Sequence, residues 1–430
     1  MKKEVGYSKD FMAALDIGRP PTVQALFPHS RALLVSGKVI DKAMLTKGKA
    51  MTIAANGRSR FVIRGVLRAA QRANAAIIIE IAKSEGGANA YCAVNYWNIA
   101  QMVDAFCNEM QITVPIAVHA DHYGIKNDGD IAAAHIEIPT LFEAGITSIA
   151  IDASHLPDDK NLLANIELSK HIPSWAGYET EVGEIKGKTG LTSAEEALFL
   201  IRGLNARDIF PDWIAMNNGT THGIEAGDAG IQVDLTRSIH EALMPYHVSG
   251  AQHGTSGNNS DRLRSIAAET QTTKANVATA LQMISWGIRV NDYGNAFMNA
   301  AGRLDKVVGE GVTEEMWAEM TAYADAKNLK AGDYKKLNLP FENKLSGLPK
   351  EIRQRMEDAV ERFTYTLLVD VFNAKDTAKT AMDILLDSGS YDLGVKARRI
   401  ENPADWTDEK IYEKAKQITA DKGAHGNFDD

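Results

Sequence analysis

The chain has 430 residues, of which 45% are hydrophobic and 24% charged, and it carries a formal net charge of −9. This composition supports a large buried core and argues against a nucleic-acid partner, because phosphate backbones require concentrated Lys and Arg. Two cysteines, Cys92 and Cys107, exclude a disulfide framework and a cysteine zinc finger. No stretch has the apolar length of a signal peptide or a membrane span, so we expect a cytoplasmic protein with no membrane partner.

Short apolar or β-branched runs alternate along the chain with segments of helical periodicity. The runs predict strands at 51–55, 76–81, 115–119, 148–152, 178–182, 213–217, 247–252 and 287–291. Helical spacing is found at 61–72, 98–109, 131–143, 194–204, 235–244 and 274–285. Eight alternating units predict an α/β fold, a (β/α)₈ TIM barrel. An open doubly wound sheet is the alternative, but the G-x-G-x-x-G fingerprint of a dinucleotide fold is missing.

The composition and periodicity of the sequence change after about residue 330. A charged stretch interrupted by Pro340 and Pro349 leads into a long amphipathic pattern from 351 to 386. We therefore expect a catalytic barrel domain with an N-terminal lead-in at 1–330. A helical C-terminal extension at 331–430 would pack on the barrel or on a neighbouring subunit. A homo-oligomer, either dimer or tetramer, is the expected assembly.

Histidines follow three of the predicted strands, in the positions that form the active-site face of such a barrel. They are found in His119-Ala120-Asp121-His122 and at His222 and His253. Three imidazoles with an open fourth position suit a catalytic zinc ion. Because neighbouring side chains of a strand point in different directions, we assign Asp121 to proton transfer in preference to metal binding. His119 is expected to be a structural hydrogen-bonding residue.

Six blocks of the sequence resemble, in order, the signature motifs of class II, zinc-dependent ketose-bisphosphate aldolases, whose best-known members cleave fructose 1,6-bisphosphate. The resemblance covers residues 50–305. It implies reversible aldol cleavage to dihydroxyacetone phosphate and an aldehyde such as glyceraldehyde 3-phosphate, in carbohydrate metabolism. The blocks are Met51-Thr52-Ile53-Ala54-Ala55-Asn56, His119-Ala120-Asp121-His122, Ser148-Ile149-Ala150-Ile151-Asp152-Ala153-Ser154-His155-Leu156-Pro157, Tyr178-Glu179-Thr180-Glu181-Val182-Gly183, Gly219-Thr220-Thr221-His222-Gly223 and His253-Gly254-Thr255-Ser256-Gly257.

The resemblance assigns roles to individual residues. His122, His222 and His253 match the zinc ligands, and Asp121 matches the aspartate that exchanges a proton with the substrate hydroxyl. Asp152 and Glu181 match carboxylates that hold a second divalent ion or an alternative zinc position in some members; capping a helix is the structural alternative. The expected phosphate and substrate contacts, with a monovalent cation nearby, are Gly223, Gly254, Thr255, Ser256 and Asn56.

The chain also departs from the family pattern. Members usually read Lys, apolar, Asn, Ile, Asp, Thr, Asp after the last strand, whereas this chain reads Arg289-Val290-Asn291-Asp292-Tyr293 there. Asn291 is retained and would hydrogen-bond the reaction intermediate. The serine expected after the second strand is replaced, and Lys83 is a candidate phosphate contact in its place. Glu184 is the acid near the loop where members carry a mobile glutamate, and it would protonate the intermediate.

Other activities fit parts of the same pattern. Altered phosphate contacts would suit tagatose bisphosphate or another sugar phosphate. A zinc hydrolase on a barrel would also use three histidines and an aspartate. An inactive relative that kept its metal is the third alternative.

Overall fold

Eight parallel strands close into a barrel in the order in which they occur along the chain. The computed structural model describes residues 7–88, 90–183, 190–219, 230–255, 258–291, 294–300 and 302–418. The barrel closes between β1 and β8, where Ala54 lies opposite Asn276. The predicted (β/α)₈ fold is therefore confirmed. The strands are β1 (Thr52–Asn56), β2 (Ile77–Ala82), β3 (Ile116–Gly124), β4 (Ser148–Asp152), β5 (Gly177–Val182), β6 (Trp213–Met216), β7 (Ser249–Gln252) and β8 (Thr272–Val277).

The strands are buried on both faces, which explains why several of them, such as β2, read as continuous apolar runs. Every residue of β2, which contains Ile77, Ile78, Ile79 and Ile81, is buried. Parallel strands of a barrel have side chains in the barrel centre on one face and helices on the other, so both faces favour β-branched residues.

Helices surround the barrel and continue beyond it. Over the described residues they are α1 (Lys9–Gly18), α2 (Pro21–Leu26), α3 (Gly37–Lys47), α4 (Arg60–Ala73), α5 (Lys83–Gly86), α6 (Ile99–Met110), α7 (Asp128–Glu143), α8 (Asp158–Leu168), α9 (Ala194–Ala206), α10 (Val233–Leu243), α11 (Ser260–Glu269), α12 (Thr279–Trp286), α13 (Glu314–Ala326), α14 (Asn338–Ser346), α15 (Lys350–Thr366), α16 (Thr377–Ser388) and α17 (Asp408–Ala415). Within this part of the chain, no helix is both long and apolar enough to cross a membrane.

The predicted eighth strand was wrong. The last barrel strand is β8, which overlaps the start of the helix predicted at 274–285, and the helix α12 begins only at Thr279. Residues Ile288 and Val290 instead form isolated antiparallel bridges with Lys306 and Ala296, outside the barrel. Lys274 and Asn276 give β8 a polar character, because they face a cluster of buried charges and not an apolar core.

The C-terminal helices pack directly on the barrel helices. α15 lies against α4 at close range, since a Cβ on Gly65 would come within 2.6 Å of both the Glu357 carbonyl oxygen and the Val360 side chain. α16 packs on α3. A short 3₁₀ segment, Ala331–Leu337, lies between α13 and α14 in the chain and lines a cleft described below.

Candidate metal and catalytic site

A bulge near the end of β3 places two consecutive side chains in the same site. The pairing of β3 with β4 shifts register between Ala120 and Tyr123, and His122 adopts a left-handed φ of 42°. Strict alternation would have separated Asp121 from His122. With the bulge, Oδ2 of Asp121 lies 3.9 Å from Nε2 of His122. The predicted separation of these neighbours therefore does not hold, although both remain at the strand end.

The imidazoles of His122 and His253 face each other across the mouth of the barrel. Nε2 of His122 lies 2.8 Å from Nδ1 of His253. The opposite nitrogen of each ring contacts a carboxylate: Nε2 of His253 lies 2.9 Å from Glu179, and Nδ1 of His122 lies 3.1 Å from Glu181 and 3.3 Å from Asp152. Carboxylates in these positions fix the ring orientations and leave one nitrogen of each ring directed at the shared site.

These residues fit a divalent metal ion. Donor atoms of Asp121, His122 and His253 lie within 4.8 Å of one another, and His122, Asp152 and Glu181 form a second such group. Burial by itself lowers the pKa of His122, but Glu181 and Asp121 outweigh it and raise that pKa well above its ordinary value. The same negative charge favours a bound cation. Nitrogen and oxygen donors of this kind suit zinc.

A buried lysine, Lys274, neutralises the carboxylates behind this metal site. Its Nζ lies 2.7 Å from Glu179, 3.3 Å from Asp121 and 3.3 Å from Glu80. Burial raises the pKa of Asp121, but Lys274 and the nearby histidines outweigh it and lower that pKa below its ordinary value. Asp121 is therefore ionised at neutral pH.

His119 belongs to this interior network. It is fully buried, with Nδ1 2.8 Å from the Ser148 hydroxyl and Nε2 3.2 Å from Nζ of Lys274. Burial and the positive charge of Lys274 lower the pKa of His119 to about 3, so its ring is neutral.

Asn276, and not Asn291, lies at the end of the eighth barrel strand. Nδ2 of Asn276 donates a 3.0 Å hydrogen bond to Oδ1 of Asp121, and Oδ1 of Asn276 has no hydrogen-bond partner within the described structure. The backbone N–H of Asn291 donates to Asn295 in the hairpin after α12. Placing Asn291 after the last strand was therefore wrong. The family's Lys, apolar, Asn order recurs at Lys274-Ala275-Asn276.

The candidate phosphate contacts are only partly brought together. Gly254 follows β7 with a φ of 60°, which glycine adopts without strain. The Thr255 hydroxyl donates to the carbonyl oxygen of Asn276, and Nδ2 of Asn56 donates to the carboxylate of Glu85. Two further phosphate candidates, Gly223 and Ser256, lie outside the described residues, as do the candidate zinc ligand His222 and the candidate acid Glu184.

A cleft of about 490 Å³ opens from His122 towards the solvent. Lys83, at the start of α5, lines it and donates a 3.0 Å hydrogen bond to the carbonyl oxygen of Gly124. The 3₁₀ segment contributes Lys335 and Lys336 to the opposite wall. Lys126 is the fourth lysine that lines the cleft, and two acidic residues, Asp130 and Asp333, also line it. Because the lysines outnumber the acids, the cleft has a net positive charge.

Sequence reasoning missed four residues of the site. Glu179 lies two positions before Glu181 on β5, so strand alternation already indicated that both share a face. Lys274 and Asn276 match the Lys, apolar, Asn order of the family, but they lie on a strand in a segment for which we predicted a helix. Glu80 gave no signal, because a buried glutamate within an isoleucine run gains its partner, Lys274, only when the barrel closes.

Known proteins resemble this chain in sequence. The sequence model of the family "Fructose-bisphosphate aldolase class-II" matches residues 38–330. The fructose-bisphosphate aldolase of Mycoplasma pneumoniae is 29% identical over 199 residues, which are 45% of this chain and 62% of the relative. That of Streptococcus pneumoniae serotype 4 is 29% identical over 224 residues, 51% of this chain and 70% of the relative. The chain thus spans less than two thirds of the Mycoplasma relative.

Solved structures share the fold. The YdjI aldolase from Escherichia coli K12 is 16% identical, with a TM-score of 0.54, and the match covers 80% of this chain and 99% of that one. The fructose-bisphosphate aldolase from Campylobacter jejuni is 18% identical, with a TM-score of 0.52 over 80% of this chain and 97% of that one. At these identities the likeness concerns the fold alone.

Proposed function

Because the chain belongs to the class II fructose-bisphosphate aldolase family, we propose that it is a zinc-dependent aldolase. It cleaves fructose 1,6-bisphosphate, or a closely related ketose phosphate, reversibly to dihydroxyacetone phosphate and an aldehyde. The observation that carries this proposal is the position of Asp121, a buried carboxylate beside the facing nitrogens of His122 and His253.

The metal would be held by His122, His253 and, from outside the described residues, His222. A bound zinc ion supplies Lewis-acid polarisation of the ketose carbonyl and stabilises the negative charge that develops there. Glu179 orients His253, whereas Asp152 and Glu181 orient His122 or accept a second divalent ion.

Asp121 performs the proton transfer in the cleavage direction. Its carboxylate accepts the proton of the hydroxyl on the carbon beyond the scissile bond. The electron pair of that O–H bond forms the aldehyde carbonyl, and the electrons of the broken carbon–carbon bond remain on the ketone half as an enediolate. General base catalysis of this kind contributes about 10²–10⁴ in rate. Lys274 and Asn276 keep Asp121 ionised and fix its orientation.

Asn276 takes the role that was first assigned to Asn291. Its Oδ1, which has no partner within the described structure, is available to a substrate hydroxyl. The protonation of the enediolate carbon remains assigned to Glu184.

The only lysine in the described part of the barrel interior is unsuited to Schiff-base chemistry. Lys274 is fully buried and contacts three carboxylates. Burial lowers its pKa, but Glu179, Glu80 and Asp121 outweigh this and raise the pKa above the ordinary value, so the amine is not a nucleophile. This supports the metal-dependent route.

The two ends of the substrate would contact different elements. One phosphate would lie at Gly254 with Gly223 and Ser256, where backbone N–H groups can approach an anion. The other anionic end would lie in the cleft lined by Lys83, Lys335 and Lys336.

Product analysis tests the proposed reaction. Zinc-loaded protein is incubated with fructose 1,6-bisphosphate and, separately, tagatose 1,6-bisphosphate, and triose phosphate and inorganic phosphate are both measured. Triose phosphate release without inorganic phosphate supports an aldolase, and the faster ketose identifies the substrate. Inorganic phosphate alone would indicate a hydrolase. Turnover equal to that of buffer with both ketoses would indicate an inactive relative.

A further inference from the structure

Four arginines form a row along α4, on the outside of the barrel. Arg60, Arg64, Arg68 and Arg72 follow each other at four-residue steps, which places them on successive turns of one helix face. Like charges at this spacing repel one another. A counter-charge beside a guanidinium relieves this repulsion.

The C-terminal helix α15 supplies acids to three of these arginines. Residue numbers rise together along both helices, so the helices run parallel and the pairs follow in register. The pairs are Arg64 with Glu357 (2.9 Å), Arg68 with Asp358 (2.7 Å) and Glu361 (2.6 Å), and Arg72 with Glu361 (3.8 Å).

Arg60, the first arginine of the row, differs from the other three because cations of α15 share its cleft. The first turn of α15 carries Lys350, Glu351 and Arg353. Lys350 and Arg353 line the same cleft as Arg60, whereas Glu351 is not among its lining residues. Nε of Arg353 is buried without a hydrogen-bond partner in the described structure. Arg60 donates a long hydrogen bond of 3.4 Å to the Ser346 hydroxyl. Among the residues that the structure describes, no carboxylate forms an ion pair with any of these three cations.

The cleft itself is large enough to admit a small anion together with water. Its volume is about 190 Å³, and its acidic lining residues are Glu109 and Glu357. Both are committed to Arg64, with distances of 2.7 Å from Glu109 and 2.9 Å from Glu357. Among the described residues that line the cleft, three cations therefore lie without an acid of their own, because both acids pair with Arg64.

We propose that this cleft, lined by Arg60, Lys350 and Arg353, binds a phosphate group, either as inorganic phosphate or as the monoester of a small metabolite. Guanidinium groups match the oxygens of phosphate, and partial burial strengthens the attraction. The bound anion would complete the row of ion pairs and join α15 to α4. This site is separate from the metal site and does not depend on the aldolase proposal.

Thermal unfolding of the full chain tests the site. The Tm is measured in phosphate and in chloride at equal ionic strength, for the wild type, for Arg353→Glu and for Arg362→Glu, an exposed charge reversal on the same helix. Phosphate bound at the metal site contributes equally to all three proteins. In chloride, Arg353→Glu should melt about 2 °C above the wild type, because it supplies the missing acid. Phosphate should raise the Tm of the wild type and Arg362→Glu by about 2 °C more than that of Arg353→Glu.

Replacing inorganic phosphate with glycerol 2-phosphate distinguishes the two sources. A larger gain with the ester assigns the site to phosphorylated metabolites, and a larger gain with inorganic phosphate assigns it to the free ion. Equal phosphate gains in the wild type and Arg353→Glu would overturn the proposal. If Arg353→Glu does not fold, Arg353→Gln replaces it, with the same difference in phosphate gain expected.

Discussion

Oδ2 of Asp121 lies 3.9 Å from Nε2 of His122, although the two residues are consecutive in β3. A regular strand would direct these side chains to opposite faces. The bulge and the left-handed φ of His122 remove that separation, so one strand supplies both the proposed base and a proposed metal ligand. A non-glycine residue in this conformation is held there by its surroundings, and such backbone positions are often found at functional sites.

Asp121→Asn should keep the metal and lose the reaction. The amide retains the shape of the carboxylate but cannot accept the proton, so kcat should fall by about 10³ or more. Zinc content, measured by atomic emission, should match the wild type. His253→Ala is the contrasting variant, because it should lose zinc together with activity. Loss of zinc in Asp121→Asn would place Asp121 among the metal ligands.

Lys274→Met should destabilise the fold. It removes the cation that three buried carboxylates share, Glu80, Asp121 and Glu179, and uncompensated buried charges cost about 3–5 kcal/mol. Urea unfolding measures the loss. Lys379→Met, which removes an exposed ion pair with Asp383, should leave the unfolding free energy unchanged. An equally small change in Lys274→Met would mean that the interior network contributes little.

His240 should make stability depend on pH. Burial lowers the pKa of this histidine from 6.5 to about 4. Below pH 6.5 the unfolded chain therefore binds a proton that the folded chain excludes, and stability should fall as the pH falls from 6.5 to 4. The contribution is roughly 3 kcal/mol. His240→Gln retains an acceptor for the backbone N–H of Gln271 and should lose less stability over this range. Parallel curves for both proteins in urea unfolding at several pH values would contradict this.

The lysines of the cleft should govern substrate affinity. In the double variant Lys335→Gln and Lys336→Gln, the KM for the bisphosphate should rise about tenfold while kcat changes little, because both lysines line the cleft proposed to hold an end of the substrate that does not react. Lys410→Gln, on α17, serves as the control for lost surface charge. A fall in kcat at unchanged KM would indicate that the 3₁₀ segment acts on the chemistry instead.

The sequence predicted the first seven barrel strands with starts within two residues of the observed ones, aided in strands such as β2 by the unbroken apolar run that burial on both faces produces. It failed at β8, where Lys274 and Asn276 point into the barrel and interrupt such a run. Ile288 and Val290 have strand-like composition but form a hairpin outside the barrel. Likewise, the strand-end residues Asp121, His122 and His253 could be identified, whereas the bulge that unites the first two depends on pairing with β4, which no local pattern reveals.

Zinc titration into metal-free protein tests the proposed mechanism most directly. Triose phosphate release from fructose 1,6-bisphosphate should rise with added zinc and reach a plateau, and the same titration of Asp121→Asn should bind zinc without release. Full activity in chelator-treated protein, or trapping of a lysine adduct by borohydride, would contradict a mechanism in which His122 and His253 hold the metal and Asp121 carries the proton.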